Sequence, residues 1–218
     1  MPKRIFLVHP TMLAMPPIDH AFKTQWPQAQ TLNVVDESLY ADLPQDGTLA
    51  PAIYERLASL FRHCKQSGAD GLVFTGSTFG PAVEAVRARV AIPVLKSDEA
   101  MLDLAVERGK SILLAGTAKR SLPVVRASLD EAAARAGRSP RVTELWVSGA
   151  RDAILNGDVD THDRLIAEQV TAAGDFDAIV LGQISMVSAV ARFAPDLARR
   201  VLTSPDAAVA RMRALVER

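Results

Sequence analysis

Cysteine is almost absent from this sequence, with one residue, Cys64, in a chain of 218. A single thiol excludes an internal disulfide and a metal cluster held by cysteines. The four histidines are scattered and show no H-E-x-x-H or similar pairing. We therefore predict neither a disulfide framework nor a metal site.

The chain also has no excess of charge of either sign, because 25 Lys and Arg balance 25 Asp and Glu. This balance argues against nucleic acid or an anionic membrane as partner. No apolar run approaches the roughly 20 residues of a membrane span. The run at residues 5–8 is too short for a signal peptide. With 49% hydrophobic residues, the composition is that of an ordinary globular protein, which we expect to be cytoplasmic.

Nucleotide-binding motifs are lacking as well. The segment Gly76-Ser77-Thr78-Phe79-Gly80 does not have the G-x-G-x-x-G spacing of dinucleotide-binding proteins. The phosphate-binding pattern G-x-x-x-x-G-K-[ST] does not occur anywhere in the chain. Dinucleotide binding is therefore disfavoured.

What the sequence does contain is one pattern written twice. In residues 70–81 a short apolar run ends in small and hydroxyl residues, and a helical pattern follows at once. Residues 177–186 repeat this pattern at a constant offset of 107, which aligns Gly76 with Gln183. Each copy predicts a buried parallel strand, a loop and a helix N-terminus. Unpaired backbone N–H groups at such a junction attract a carboxylate or phosphate.

Strands alternate with helices along the whole chain, which predicts an α/β fold with parallel sheets. The offset of 107 also aligns Ile5 with Ile112. We therefore predict an internal duplication into two Rossmann-like lobes, residues 1–110 and 111–218. In such an arrangement each lobe can contribute its terminal element to the other. We expect a pseudo-twofold axis between the lobes and a ligand cleft there, and the sequence is compatible with a homo-oligomer.

Ligands of open parallel sheets bind beyond the carboxyl ends of the strands. The loops predicted at those ends share small, hydroxyl or ionisable residues. They are residues 9–11, 36–38, 76–79, 96–97, 116–121, 183–186 and 203–204.

This pattern resembles the aspartate/glutamate/hydantoin racemase superfamily, which includes arylmalonate decarboxylase and maleate isomerase. The resemblance rests on the duplicated halves and on residues 32–39, 73–81 and 181–185. It implies a pseudo-twofold α/β fold and cofactor-free chemistry at the carbon next to a carboxylate. In the racemases of this superfamily two cysteines, one at a strand end in each half, remove and return the α-proton.

In this chain the two cysteine positions hold Gly76 and Gln183. Glycine has no side chain, and an amide neither takes nor gives a proton near neutral pH. Arylmalonate decarboxylase also has glycine at the first position but keeps the second cysteine, so its pattern is not matched either. Cys64 cannot replace the missing thiols, because the helical spacing predicts that it faces the core. The usual two-cysteine mechanism is therefore excluded.

The groups that remain are suited to binding. Hydroxyls and backbone N–H groups at the strand ends could hold a carboxylate and stabilise an enediolate, although the hydroxyls could instead cap helices. These substrate-binding candidates are Thr11, Gly76, Ser77, Thr78, Thr117, Gln183 and Ser185.

Two residues are candidates for acid–base catalysis, His9 and Lys96, and Lys96 could equally bind a second carboxylate. Weaker candidates in the same loops are Asp36, Glu37 and Lys119.

Three hypotheses follow. The first is a cofactor-independent isomerase (racemase) or decarboxylase, acting at the α-carbon of a small carboxylate or amino-acid derivative by a mechanism without two thiols. The second is a ligand-binding or inactive racemase-like protein. The third is that Gly76 is an engineered or recent replacement in a relative that used one cysteine.

Overall fold

The computed structural model describes residues 1–217. The backbone forms two compact units, one made of Met1–Ser97 with the segment from Pro205 onward, and the other of Asp98–Ser204. We call these unit 1 and unit 2. The halves proposed from the sequence, 1–110 and 111–218, stay a prediction about the duplication, and their last residue, Arg218, lies outside the described residues.

From the N-terminus to residue 97 the chain forms four strands and four α-helices. The strands are β1 (Arg4–His9), β2 (Gln30–Val35), β3 (Gly71–Phe74) and β4 (Val94–Lys96). The helices are α1 (Met15–Gln25), α2 (Ser38–Ala41), α3 (Pro51–Gln66) and α4 (Gly80–Val86). Short 3₁₀ helices cover Met12–Ala14, Ser77–Phe79 and Arg87–Arg89.

The second stretch of chain repeats this order. Its strands are β5 (Ser111–Gly116), β6 (Arg141–Trp146), β7 (Ala178–Leu181) and β8 (Val201–Leu202). Its helices are α5 (Glu99–Arg108), α6 (Leu122–Arg135), α7 (Ala150–Leu155), α8 (Val159–Ala172), α9 (Pro195–Ala198) and the C-terminal α10 (Ser204–Val216). A longer 3₁₀ helix covers Ile184–Arg192.

Both sheets are wholly parallel and have the same strand order, β2-β1-β3-β4 in unit 1 and β6-β5-β7-β8 in unit 2. The α/β prediction of two similar lobes with parallel sheets is therefore confirmed. The register repeats too, since Ile5 pairs with Gly71 and Ile112 pairs with Ala178.

The central strands are buried because helices cover both faces of each sheet. Residues 5–8 of β1 and residues 112–115 of β5 are at most 6% exposed, as expected for continuously apolar parallel strands. The predicted core position of Cys64 is confirmed, since its side chain lies in the unit 1 core beside Phe61.

Strand β4 begins two residues later than the predicted start at Ile92. Pro93 lacks an N–H and cannot donate to the sheet, although its carbonyl still accepts from the Leu72 N–H at 2.9 Å. At its other end the strand extends one residue further than predicted, so Lys96 is its last residue rather than the first residue after it.

Helix α10 belongs to unit 1, and the packing explains a glycine in β3. A Cβ on Gly71 would lie 2.5 Å from Sδ of Met212 in α10. The helix therefore approaches the strand closely here, and a side chain at position 71 would require the Met212 side chain to move.

Candidate functional site

Gly76 lies in unit 1 two residues after the end of β3, at the position that the sequence resemblance assigns to the first cysteine of the superfamily's racemases. A Cβ at this position would lie 2.4 Å from Cγ of Pro10 and 2.9 Å from Cε1 of Phe74. The backbone angles of Gly76, φ −113° and ψ 92°, are open to any residue. The proline ring, and not the backbone conformation, therefore excludes a side chain here.

His9 ends β1 and is completely buried. Its Nδ1 lies 2.8 Å from Oγ1 of Thr75, and its Nε2 lies 2.8 Å from Oδ1 of Asn33. The Asn33 amide nitrogen faces the carboxylate of Asp19, at 3.1 and 3.2 Å, so its oxygen faces His9. Nε2 must then carry the ring proton.

Burial lowers the pKa of His9 below its ordinary value of 6.5, although the bond to Asn33 and the charge of Asp19 oppose the shift. With both nitrogens bonded inside the unit, the ring holds the end of β1 in place. A catalytic role for His9 stays a prediction, and it would require one of these bonds to be exchanged for a substrate contact.

Lys96 ends β4, and its side chain is 10% exposed. Its Nζ lies 3.4 Å from Oε2 of Glu84 in α4. Strand β4 lies beside β3, and in this pairing Lys96 is opposite Phe74. An ammonium and a carboxylate thus meet at the carboxyl edge of the unit 1 sheet, beside Phe74, which precedes Gly76 by two residues.

The hydroxyl candidates of unit 1 have local partners. Oγ1 of Thr78 lies 3.4 Å from the hydroxyl of Tyr40. Oγ1 of Thr11 accepts the Leu13 N–H at 3.4 Å, which caps the short 3₁₀ helix that follows. Ser77 is half-buried at the first turn of its own 3₁₀ helix.

In unit 2 the sequence resemblance assigns the second cysteine position to Gln183, which lies two residues after the end of β7. Its side chain folds back onto the loop after β5. Its Oε1 accepts the Thr117 N–H at 2.6 Å, with the Ala118 N–H and the Thr117 hydroxyl at 3.4 Å. Its Nε2 donates to Oγ of Ser121 at 2.8 Å. The structure therefore brings together two predicted binding residues, Thr117 and Gln183, but as partners of each other. Ser185 is half-buried two residues further on.

Residues 36 and 119 also have partners. Arg56 forms an ion pair with Asp36, with Nε 2.9 Å from Oδ2. Nζ of Lys119 lies 5.1 Å from the centre of the Trp146 ring, whose Nε1 donates to the Thr117 carbonyl at 3.2 Å. These contacts stabilise the loops that carry them.

Three residues that decide the geometry were not singled out in the sequence: Pro10, Glu84 and Ser121. A signal existed for the first, because the offset of 107 aligns Pro10 with Thr117 and so places both against the strand-end positions 76 and 183. Glu84 and Ser121 carry no signal beyond their place in the loops and helices that follow strands.

Cys64 offers no substitute thiol, since burial raises its pKa to about 11. Within residues 1–217, no three His, Cys, Asp or Glu side chains cluster as metal ligands would. Over the same residues, none of the helices has the length and apolar character needed to cross a membrane.

The model of the Asp/Glu/hydantoin racemase family matches residues 11–212. The chain therefore belongs to the Asp/Glu/hydantoin racemase family. A comparison with curated protein sequences gives no significant match.

Solved structures agree in fold. Glutamate racemase from Bacillus anthracis is similar with a TM-score of 0.77 at 12% identity, covering 99% of this chain and 82% of that one. Allantoin racemase from Klebsiella pneumoniae has a TM-score of 0.66 at 20% identity, covering 99% and 88%. Glutamate racemase from Francisella tularensis, solved with D-glutamate, has a TM-score of 0.71 at 14% identity, covering 99% and 81%. At these identities the likeness concerns the fold.

Proposed function

We propose that this chain is a cofactor-independent isomerase that acts at the α-carbon of a small carboxylate or amino-acid derivative, without a pair of thiols. Family membership supports the reaction class, and the named relatives act on small carbon acids, glutamate and allantoin. The absence of thiols at positions 76 and 183 requires another acid–base group.

The observation that carries the proposal is the placement of Lys96. It is the last residue of a buried strand, 10% exposed, and paired with Glu84 at the sheet edge where α/β proteins bind ligands. An ammonium there can neutralise a bound carboxylate or carry a proton. The first-turn N–H groups at Ser77 and Thr78 would stabilise the negative charge of an enediolate.

The test is exchange of the α-proton with solvent deuterium, followed by NMR. The substrates are glutamate, aspartate, allantoin, simple hydantoins and substituted malonates. The malonates are included because loss of CO₂ from a malonate also passes through an enediolate. We expect exchange by the parent protein and a loss of roughly 10²-fold or more in Lys96→Ala. Lys65→Ala, which removes an exposed lysine at the end of α3, is the matched control and should keep full activity.

Full activity in Lys96→Ala would rule out a role for this lysine in the proposed reaction.

A second candidate function is ligand binding without catalysis, favoured by the Pro10 ring at position 76 and the bound amide at position 183. Thermal stabilisation by the same compounds, with no exchange in any of them, would support binding and refute the isomerase. Neither exchange nor stabilisation would refute both.

A further inference from the structure

The side chain of Gln183, two residues after the end of β7, is hydrogen-bonded through both its oxygen and its nitrogen. Its amide oxygen points at two consecutive backbone N–H groups, those of Thr117 and Ala118, and at the Thr117 hydroxyl. The shortest of these contacts is 2.6 Å, to the N–H of a residue that is 4% exposed. We call these three donors the 117–118 cradle.

The donors of this cradle match what a carboxylate oxygen accepts. Consecutive N–H groups that converge on one point form a concave site for anions. An amide oxygen carries only a partial negative charge, and charge-assisted hydrogen bonds are roughly twice as strong as neutral ones. A carboxylate oxygen would therefore satisfy the cradle at least as well as the oxygen of Gln183 does.

Two further residues hold the amide in place. Ser121 accepts from Nε2 of Gln183 at 2.8 Å and donates its own proton to the Ala118 carbonyl at 2.8 Å. A Cβ on Gly116 would lie 2.8 Å from Cδ2 of Leu122 and 3.2 Å from the same Nε2, so the glycine leaves room for both side chains beside the loop. The amide is thus oriented at both of its ends.

We propose that Gln183 is the built-in occupant of a carboxylate-binding cradle at the end of the unit 2 sheet. In the parent protein the amide fills the cradle, which is then closed to anions. A small carboxylate binds only when that amide is removed or displaced. The inference concerns unit 2 alone and does not depend on which reaction the protein catalyses.

The experiment is an amide ¹H–¹⁵N NMR titration with sodium acetate, with chloride exchanged for acetate at constant ionic strength. In Gln183→Ala we expect the Thr117 and Ala118 resonances to shift along a saturable curve with a dissociation constant of about 100 mM acetate, tenfold below the 1 M reference state. The parent should show no saturable shift at these two amides. Gln169→Ala, which truncates a glutamine elsewhere in unit 2 that donates to the Ser148 carbonyl, is the matched control.

The readout separates this proposal from the proposed function. Shifts at Ser77 and Thr78 report anion binding in unit 1, whereas shifts at Thr117 and Ala118 report the cradle. Saturable shifts of the cradle amides in the parent protein would overturn the inference. So would their absence in Gln183→Ala when the spectrum of that variant keeps its native dispersion.

A second variant covers the case in which Gln183→Ala does not fold, because an unsatisfied buried N–H is costly. Gln183→Glu keeps the shape of the side chain and places a real carboxylate in the cradle. We expect it to fold, and the introduced carboxyl group to titrate well below the ordinary glutamate value of about 4.3. Titration at or above that value, followed by carboxyl ¹³C NMR, would overturn the proposal.

Discussion

Adding a single methyl group at position 76 should destabilise unit 1. In Gly76→Ala the new Cβ would lie 2.4 Å from Cγ of Pro10, 2.9 Å from Phe74 and 3.2 Å from Phe79. The nearest of these atoms belongs to a proline ring, which has little freedom to move away. The same clash, enlarged by a sulfur atom, applies to the hypothesis that Gly76 recently replaced a cysteine.

The size of the effect follows from two opposing contributions. Overpacking a core costs about 1–3 kcal/mol, and a contact at 2.4 Å favours the upper end. Replacing glycine by alanine gives back about 0.4–1 kcal/mol, because it restricts the unfolded chain and the backbone angles at Gly76 suit any residue. We expect a net loss of about 2 kcal/mol, or roughly 4–8 °C in Tm for a chain of this size.

The assay is urea and thermal unfolding of a double-mutant cycle that pairs Gly76→Ala with Pro10→Ala. Removing the ring takes away the closest contact, so the penalty of Gly76→Ala should fall below about 1 kcal/mol in the Pro10→Ala background. The reasoning is refuted if Gly76→Ala unfolds within about 0.5 kcal/mol of the parent. It is also refuted if the penalty is unchanged without the ring.

Two further predictions concern titratable groups in the core of unit 1. Burial raises the pKa of Cys64 to about 11. A thiol-specific reagent at pH 8 should therefore label the native protein roughly two orders of magnitude more slowly than it labels an exposed thiol. Rapid labelling of the native protein would contradict this prediction. Burial lowers the pKa of His9, so the unfolded chain binds more protons, and the free energy of unfolding should decrease as the pH falls below about 6.5. In urea titrations at several pH values, His9→Gln should lose this component while His20→Gln, at an exposed position, keeps it; an unchanged pH dependence in His9→Gln would argue against the assignment.

Much of the fold can be predicted because its signals are local. A continuously apolar run such as residues 5–8 marks a buried parallel strand, and the repeat at an offset of 107 predicts that the second sheet copies the first. The strand β4 starts two residues later than predicted, because Pro93 cannot donate to the sheet. At its other end it extends one residue further, so Lys96 lies inside the sheet, where its side chain is largely buried.

The candidate site was less predictable, because its decisive contacts join residues that are far apart in the chain. The residue type alone shows only that position 76 carries no catalytic side chain. The structure shows in addition that the Pro10 ring lies where a side chain at this position would begin. Substrate binding by Gln183 stays a prediction, and only the structure shows that its amide is bonded to Thr117, 66 residues away. Side-chain direction at a loop depends on which neighbours supply donors, and no periodicity encodes that.

The amino-acid sequence by itself determined the α/β class with two similar parallel sheets and the absence of thiols at positions 76 and 183, since burial patterns and residue identities are written along the chain. Only the tertiary structure decided what lies at these two positions beyond the strand ends, a proline ring beside Gly76 and an amide in the 117–118 cradle. The reason is physical. Steric closure and hydrogen-bond partnership are properties of pairs of groups, and these pairs form only when the strands β1 and β3, or β5 and β7, lie side by side.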